Sequence, residues 1–162
     1  MFGFGILFAI FLAYVNGAND NFKGVATLFG SNSTSYKTAL TWATLTTFAG
    51  SICALILSSG LVAAFSGKGL VPDTLIHTPG FGLAIIMGTS GTVFFATRLG
   101  IPISTTHAII GSLVGVGMSA TAGVNSSQLS KAFLTPLIVS PLLAVGFAVV
   151  FYPAFRFLRL RL

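Results

Sequence analysis

Five long apolar runs, almost free of charge, restrict how this chain can fold. They cover residues 2–15, 38–65, 81–97, 103–118 and 132–152. Only 6% of all residues are charged, whereas a soluble domain typically carries about 25%. In lipid, backbone polar groups need partners within the protein, and runs of helical length favour helices over the shorter alternating strands of a β-barrel. The sequence predicts an all-α polytopic membrane protein, with one transmembrane domain over residues 1–162.

Two of the five runs are short for a membrane crossing. Residues 38–65 and 132–152 can span about 30 Å of hydrocarbon at about 1.5 Å per residue, and residues 81–97 are marginal. Residues 2–15 reach only about 21 Å, and residues 103–118 about 24 Å. Each short run therefore borrows polar neighbours to complete a crossing or is re-entrant. Both lead into polar motifs.

The basic residues predict the orientation in the membrane. If all five runs cross, one side holds six basic residues and the other side two. The six are Lys23, Lys37, Arg98, Arg156, Arg159 and Arg161, and the two are Lys68 and Lys131. The positive-inside rule then predicts an N-terminus outside and a C-terminus in the cytoplasm. We expect the cell membrane as the location. The net charge of +6 does not indicate nucleic-acid binding, because the basic residues are scattered singly.

The first polar motif is "GANDN", Gly17 to Asn21. Gly17 is expected to break the first helix, and Asn19 or Asp20 to cap a new one. Such a break is tolerated in a membrane where it lines a cavity or is buried in protein. Asn19, Asp20 and Asn21 gather oxygen ligands suited to an alkali cation such as sodium, or to a proton. The alternative is an ordinary loop with a helix cap at the membrane surface.

The second motif is "PISTTH", Pro102 to His107. Its proline favours a helix start, and Ser104, Thr105 and Thr106 place hydroxyl groups beside the free N–H groups of the first turn. This predicts a binding site for an oxyanion such as phosphate or sulfate. His107 can donate to the anion or bond to a neighbouring helix carbonyl. A serine and a histidine one turn apart on one helix suit hydrolysis poorly, so no enzyme is expected.

The two motifs, in this order on apolar segments, resemble the inorganic phosphate transporter (PiT) family, which includes related sulfate permeases. Members of that family look like two inverted halves, each with one motif of each type, and this chain matches one half. The resemblance implies a secondary transporter of phosphate, or of sulfate, coupled to a proton or sodium gradient and needing no other cofactor. It also implies that Asn19, Asp20, Ser104, Thr105 and Thr106 lie near the ion and anion sites.

Lys23 departs from the family pattern, in which a second asparagine commonly stands three residues after the motif aspartate. One helical turn from Asp20, the lysine can neutralise the carboxylate or offer its ammonium group to the anion. Either role predicts proton coupling or weakened sodium dependence. The alternative is that Lys23 extends to the cytoplasmic interface.

The second departure is that only one half is present. We expect an oppositely oriented partner half in the lipid bilayer, rather than a homodimer of two opposite orientations. A rival from another class is a membrane assembly subunit without transport, in which the polar motifs hold helices together.

Overall fold

The computed structural model describes residues 2–161. It is 79% helical, and no strand occurs in this part of the chain. The predicted all-α membrane fold is therefore confirmed. The elements in chain order are α1 (Phe2–Asp20), a 3-10 turn (Lys23–Val25), α2 (Ala26–Gly30), α3 (Tyr36–Leu57), α4 (Ser59–Ala64), α5 (Asp73–Ile76), α6 (Phe81–Arg98), α7 (Thr105–Ser119), α8 (Ser126–Gln128), a π-helical segment (Leu129–Leu134) and α9 (Thr135–Arg161).

Four helical segments of the described chain are long and apolar enough to cross a membrane. They are Gly3–Gly30, Tyr36–Leu57, Phe81–Arg98 and Ser126–Arg159. The remaining predicted run forms α7, whose 15 residues rise only about 22 Å. This helix is the short element that the sequence predicts at that place.

The first helix does not break at Gly17. Helix α1 continues to Asp20, and the N–H of Asn21 still donates to the Gly17 carbonyl at 3.0 Å. The expected break is therefore wrong, because a single glycine within a helix lowers helix propensity without ending the hydrogen-bond pattern. The chain turns only after Asp20, and no side chain caps the 3-10 turn (Lys23–Val25), so the predicted capping role of Asn19 or Asp20 is also wrong.

Helix α6 packs between α1 and α7. A buried cluster joins Val15 of α1, Val93 of α6 and Ala108 of α7. The rings of Phe11 and Phe94 extend this contact, with centroids 5.6 Å apart. These contacts position the end of α1 beside the connection between α6 and α7.

Small and polar residues allow α6 and α7 to approach closely. The buried Thr89 hydroxyl donates to Ser112 Oγ at 3.1 Å, and the Ser112 hydroxyl donates to the Ala108 carbonyl at 2.8 Å. A Cβ atom at Gly88 would lie 2.9 Å from Ser112 Oγ. The absence of a side chain at Gly88 therefore makes room for this polar contact.

Helix α3 packs against the segment that follows α1. Val25 of the 3-10 turn is buried with Ala39 and Ala43 of α3. The rings of Phe22 and Tyr36 lie beside this cluster, with centroids 5.2 Å apart. The turn after α1 is thus held by its packing against α3.

Contacts divide the chain into two units, with the boundary after Val124. In the second unit Asn125 caps α8, its Oδ1 accepting from the Gln128 N–H at 3.1 Å. The long helix α9 contains Pro141 and Pro153. The assignment of residues 1–162 to one transmembrane domain stays a prediction.

Gly117, near the end of α7, is expected to reject a side chain. A Cβ atom there would lie 2.8 Å from Val71 Cγ1 and 2.9 Å from Val124 Cγ2, and valine side chains adjust little. Gly117→Ala should therefore lower stability by about 1–3 kcal/mol, as overpacking typically does. Thermal unfolding in detergent measures this change. Gly115→Ala is the matched control, because nothing lies within 4 Å of its added Cβ, and equal stability of the two variants would contradict the packing.

Candidate functional site

The connection between α6 and α7 is extended and brings the second motif to the end of α1. Gly100 turns the chain with φ of +69°, a left-handed conformation that favours glycine. Helix α7 begins only at Thr105, and Ser104 is its N-cap, with Oγ accepting from the His107 N–H at 3.4 Å. The expectation that Pro102 starts the helix is wrong, because the serine side chain caps it instead.

Asn19 joins α1 to this connection through both ends of its amide. Its Nδ2 donates to Thr97 Oγ1 at 3.0 Å and to the Ile101 carbonyl at 3.3 Å. Its Oδ1 accepts from the Ile103 N–H at 3.3 Å. One side chain thus satisfies backbone groups of a non-helical segment, which in a membrane would otherwise lack partners.

Lys23 contacts both motifs. Its Nζ lies 2.5 Å from Asp20 Oδ1, 2.8 Å from Asn19 Oδ1 and 2.9 Å from the Ile103 carbonyl oxygen. An ammonium group has three donors, and each of these oxygens can take one. We call these three oxygen atoms the Lys23 site. The side chains of Lys23 and Asp20 are 42% and 36% exposed, respectively.

Asn16 binds the second motif one turn before Asn19. The Thr105 hydroxyl donates to Asn16 Oδ1. Sequence reasoning did not single out Asn16 or Thr97. The three-residue spacing of Asn16 and Asn19 was the available signal, since it places both amides on one face of α1. Thr97 gave no comparable signal.

Asn21 lies on the other side of the turn and binds α3. Its Nδ2 donates to Thr44 Oγ1 at 3.2 Å, and its Oδ1 accepts from the Thr47 hydroxyl at 2.8 Å. Of the three polar residues predicted to bind the coupling ion, the structure brings Asn19 and Asp20 together at Lys23. Asn21 makes its hydrogen bonds with α3 instead.

The N-terminus of α7 retains donors without partners. Within residues 2–161, the N–H groups of Thr105 and Thr106 donate no hydrogen bond, and neither does the exposed Thr106 hydroxyl. Ser104 accepts through Oγ and so keeps its own hydroxyl hydrogen. The His107 ring is exposed and makes no hydrogen bond in the same part of the chain. These groups can bind an anion.

Two cavities flank the connection. One, of about 270 Å³, is lined by residues that include Asn19, Lys23 and Thr97. The other, of about 310 Å³, is lined by residues that include Ile103 and His107. Over residues 2–161, no three His, Cys, Asp or Glu side chains converge on a metal site. The oxygen atoms around Lys23 are instead of the type that binds hard cations.

Comparison with known proteins gives a consistent set of relatives. Residues 16–162 match the profile of a family described as the phosphate transporter family. A Plasmodium falciparum protein named "Sodium-dependent phosphate transporter" is 32% identical over 157 residues, which cover 93% of this chain and 23% of that protein. A Streptomyces halstedii protein named "Probable low-affinity inorganic phosphate transporter" is 30% identical over 149 residues, covering 87% of this chain and 64% of that protein.

The chain therefore spans less than two thirds of the length of these curated relatives. No solved structure matches it significantly.

The two motif asparagines should couple to different helices. Asn19 bonds to Thr97 and Asn21 to Thr47, so double-mutant cycles with Ala at the asparagine and Val at the threonine should give coupling of about 0.5–1.5 kcal/mol for each pair. The exchanged pairs, Asn19 with Thr47 and Asn21 with Thr97, are the controls and should be additive. Thermal unfolding in detergent provides the free energies. Coupling in the exchanged pairs would contradict the separation of the two amides.

Proposed function

The chain belongs to the phosphate transporter family, and on this premise we propose that it forms one half of a secondary transporter for inorganic phosphate. One observation carries the proposal. The polar end of α1 meets the N-terminus of α7, where several donors lack partners among the described residues, although the surrounding helices are apolar. Unsatisfied polar groups at membrane depth are costly, and in transporters they mark substrate pathways.

The anion would bind at the N-terminus of α7. The free N–H groups of Thr105 and Thr106 and the hydroxyls of Ser104 and Thr106 supply hydrogen bonds, and the helix dipole favours negative charge there. His107, which lines the neighbouring cavity, can add a further contact. Because the Thr105 hydroxyl already donates to Asn16, its role is to hold α7 in place. No arginine is needed in this arrangement.

Asn19 and Asp20 would hold the coupling ion, a proton or sodium. Both lie within hydrogen-bonding distance of the Lys23 ammonium, so the charge of Asp20 is balanced in this structure. The name of the Plasmodium relative mentions sodium, which keeps a sodium gradient as one candidate. A proton gradient is the other, and it needs no additional oxygen ligands.

Phosphate is favoured over sulfate by the names of the relatives. Near neutral pH phosphate keeps a proton that it can donate to an acceptor such as Asp20, whereas sulfate keeps none. The contact of Asp20 with Lys23 weakens that discrimination. Sulfate is therefore the competitor to measure.

We place the chain in the cell membrane, with its N-terminus outside and its C-terminus in the cytoplasm. With all five segments crossing, the basic residues divide six to two. If α7 returned to its starting side, Lys131 and the three C-terminal arginines would change sides, and the division would become four to four. The positive-inside rule thus favours a crossing at α7. An odd number of crossings also suits an inverted partner half.

Two rival functions fit the site less well. In an assembly subunit, the contacts of Asn19 and Asn21 would serve only to hold helices together. That role does not account for the Thr106 N–H and hydroxyl groups, which make no hydrogen bond within residues 2–161. In a hydrolase, Ser104 needs a base, yet it contacts the backbone N–H of His107 rather than its ring. We therefore propose a transporter and not an enzyme.

Proteoliposomes that contain the chain should take up labelled phosphate in a saturable manner, with sulfate competing poorly. Asp20→Asn should abolish uptake, because the carboxylate serves the coupling ion. Imposed proton and sodium gradients are compared in separate vesicles. Should the chain need its partner half, uptake would be absent, but phosphate would still raise the thermal stability of the purified protein. Absence of both uptake and stabilisation would contradict the proposal.

Thr106→Val should weaken phosphate uptake by about tenfold in KM, because it removes one hydrogen bond to a charged group. Thr41→Val is the matched control, since that exposed hydroxyl donates to a carbonyl of its own helix, at Lys37. The two variants have the same change in side chain. Equal KM values for both would place the anion elsewhere.

A further inference from the structure

The Lys23 site has the composition of a site for an alkali cation. A carboxylate, a side-chain amide and a backbone carbonyl each direct one oxygen at the ammonium nitrogen, at 2.5, 2.8 and 2.9 Å. These are the hard oxygen ligands that small cations prefer. Two of the three are neutral, so the site is more than a pairing of opposite charges.

Groups other than Lys23 hold the Asn19 amide directly, and they hold the residue of the Ile103 carbonyl through its N–H. The Asn19 amide is held by Thr97 Oγ1 and by the backbone of Ile101 and Ile103. The Ile103 carbonyl belongs to the same residue whose N–H bonds to Asn19. Removal of the lysine side chain would therefore leave the amide and carbonyl oxygens close together, with the Asp20 carboxylate beside them.

Charge also limits the site to one cation. The chain has two acidic residues, and Asp73 lies outside the membrane-spanning segments. Asp20 is therefore the one carboxylate within those segments. Its single negative charge is balanced by the Lys23 ammonium at 2.5 Å. No negative charge would therefore remain to balance a second cation.

We propose that the Lys23 ammonium is a resident cation, tethered in a site that would otherwise bind free sodium, and that this chain therefore works independently of sodium, which leaves the proton as the coupling ion of the proposed transporter. This role deepens the proposed transport function, and its effect on transport rests on that function. Cation binding itself can be measured without any transport.

The first test measures the effect of sodium on thermal stability, with choline as the replacement ion at constant ionic strength. Sodium should leave the wild-type melting temperature unchanged, because the site is filled. Lys23→Ala empties the site, so sodium should raise the melting temperature of this variant and radioactive sodium should bind to it saturably. Asp20→Asn combined with Lys23→Ala removes the charged oxygen and should abolish both effects.

Two further variants are controls. Lys23→Met removes the charge but fills the space, so it should not bind sodium. Lys37→Ala removes a lysine at the start of α3, away from the site, and should behave as the wild type does. If Lys23→Ala does not fold, Lys23→Ser replaces it, because its short side chain also leaves space and adds an oxygen. Sodium binding to the wild-type protein, or none to either folded small variant, would overturn the proposal.

The second test separates this proposal from the transport function. Phosphate uptake by the wild-type chain should be equal with sodium and with choline outside. Uptake that depends steeply on sodium would overturn the role of Lys23 and leave the transport function intact. Expected sodium binding in the variants, with neither uptake nor phosphate-dependent stabilisation in the wild type, would overturn the transport function and leave the cation site intact.

Discussion

The contacts of Asn19 and Lys23 with the backbone of residues 101–103 are the interaction on which the site depends. The connection between α6 and α7 is extended, so its N–H and carbonyl groups lack the partners that a helix supplies. Side chains at the end of α1 provide them, at Ile101 and at both polar groups of Ile103. An irregular backbone segment can thus lie between membrane helices.

This arrangement gives different tasks to chemically similar residues. Thr105 donates its hydroxyl hydrogen to Asn16, and Ser104 caps α7. Thr106, next in the chain, is exposed, and its hydroxyl makes no hydrogen bond within the described residues 2–161. Asn21 anchors the turn after α1 to α3, while Asn19 serves the connection. Structural contacts thus surround a small set of donors that make no hydrogen bond within residues 2–161.

Sequence reasoning predicted the helical membrane fold and the short α7, and it singled out both motifs. It misplaced local boundaries in each motif. The break was expected at Gly17, but the helix runs on to Asp20, and Pro102 lies in an extended segment ahead of the serine cap. Asn16 and Thr97 were missed, because their partners lie far away in the chain and single-sequence patterns report only near neighbours.

By itself, the sequence determined that the chain lies in lipid and that its elements are helices. Long apolar runs with few charges need lipid around them, and in lipid a helix satisfies its own backbone groups. It also determined the chemistry available, since a carboxylate flanked by two amides lies in the first motif and a cluster of hydroxyl groups lies in the second. The tertiary structure alone decided which of these groups meet. Packing of α6 between α1 and α7 brings Ile103 to Lys23 and Asn19. That contact depends on helix packing, which local sequence patterns do not encode.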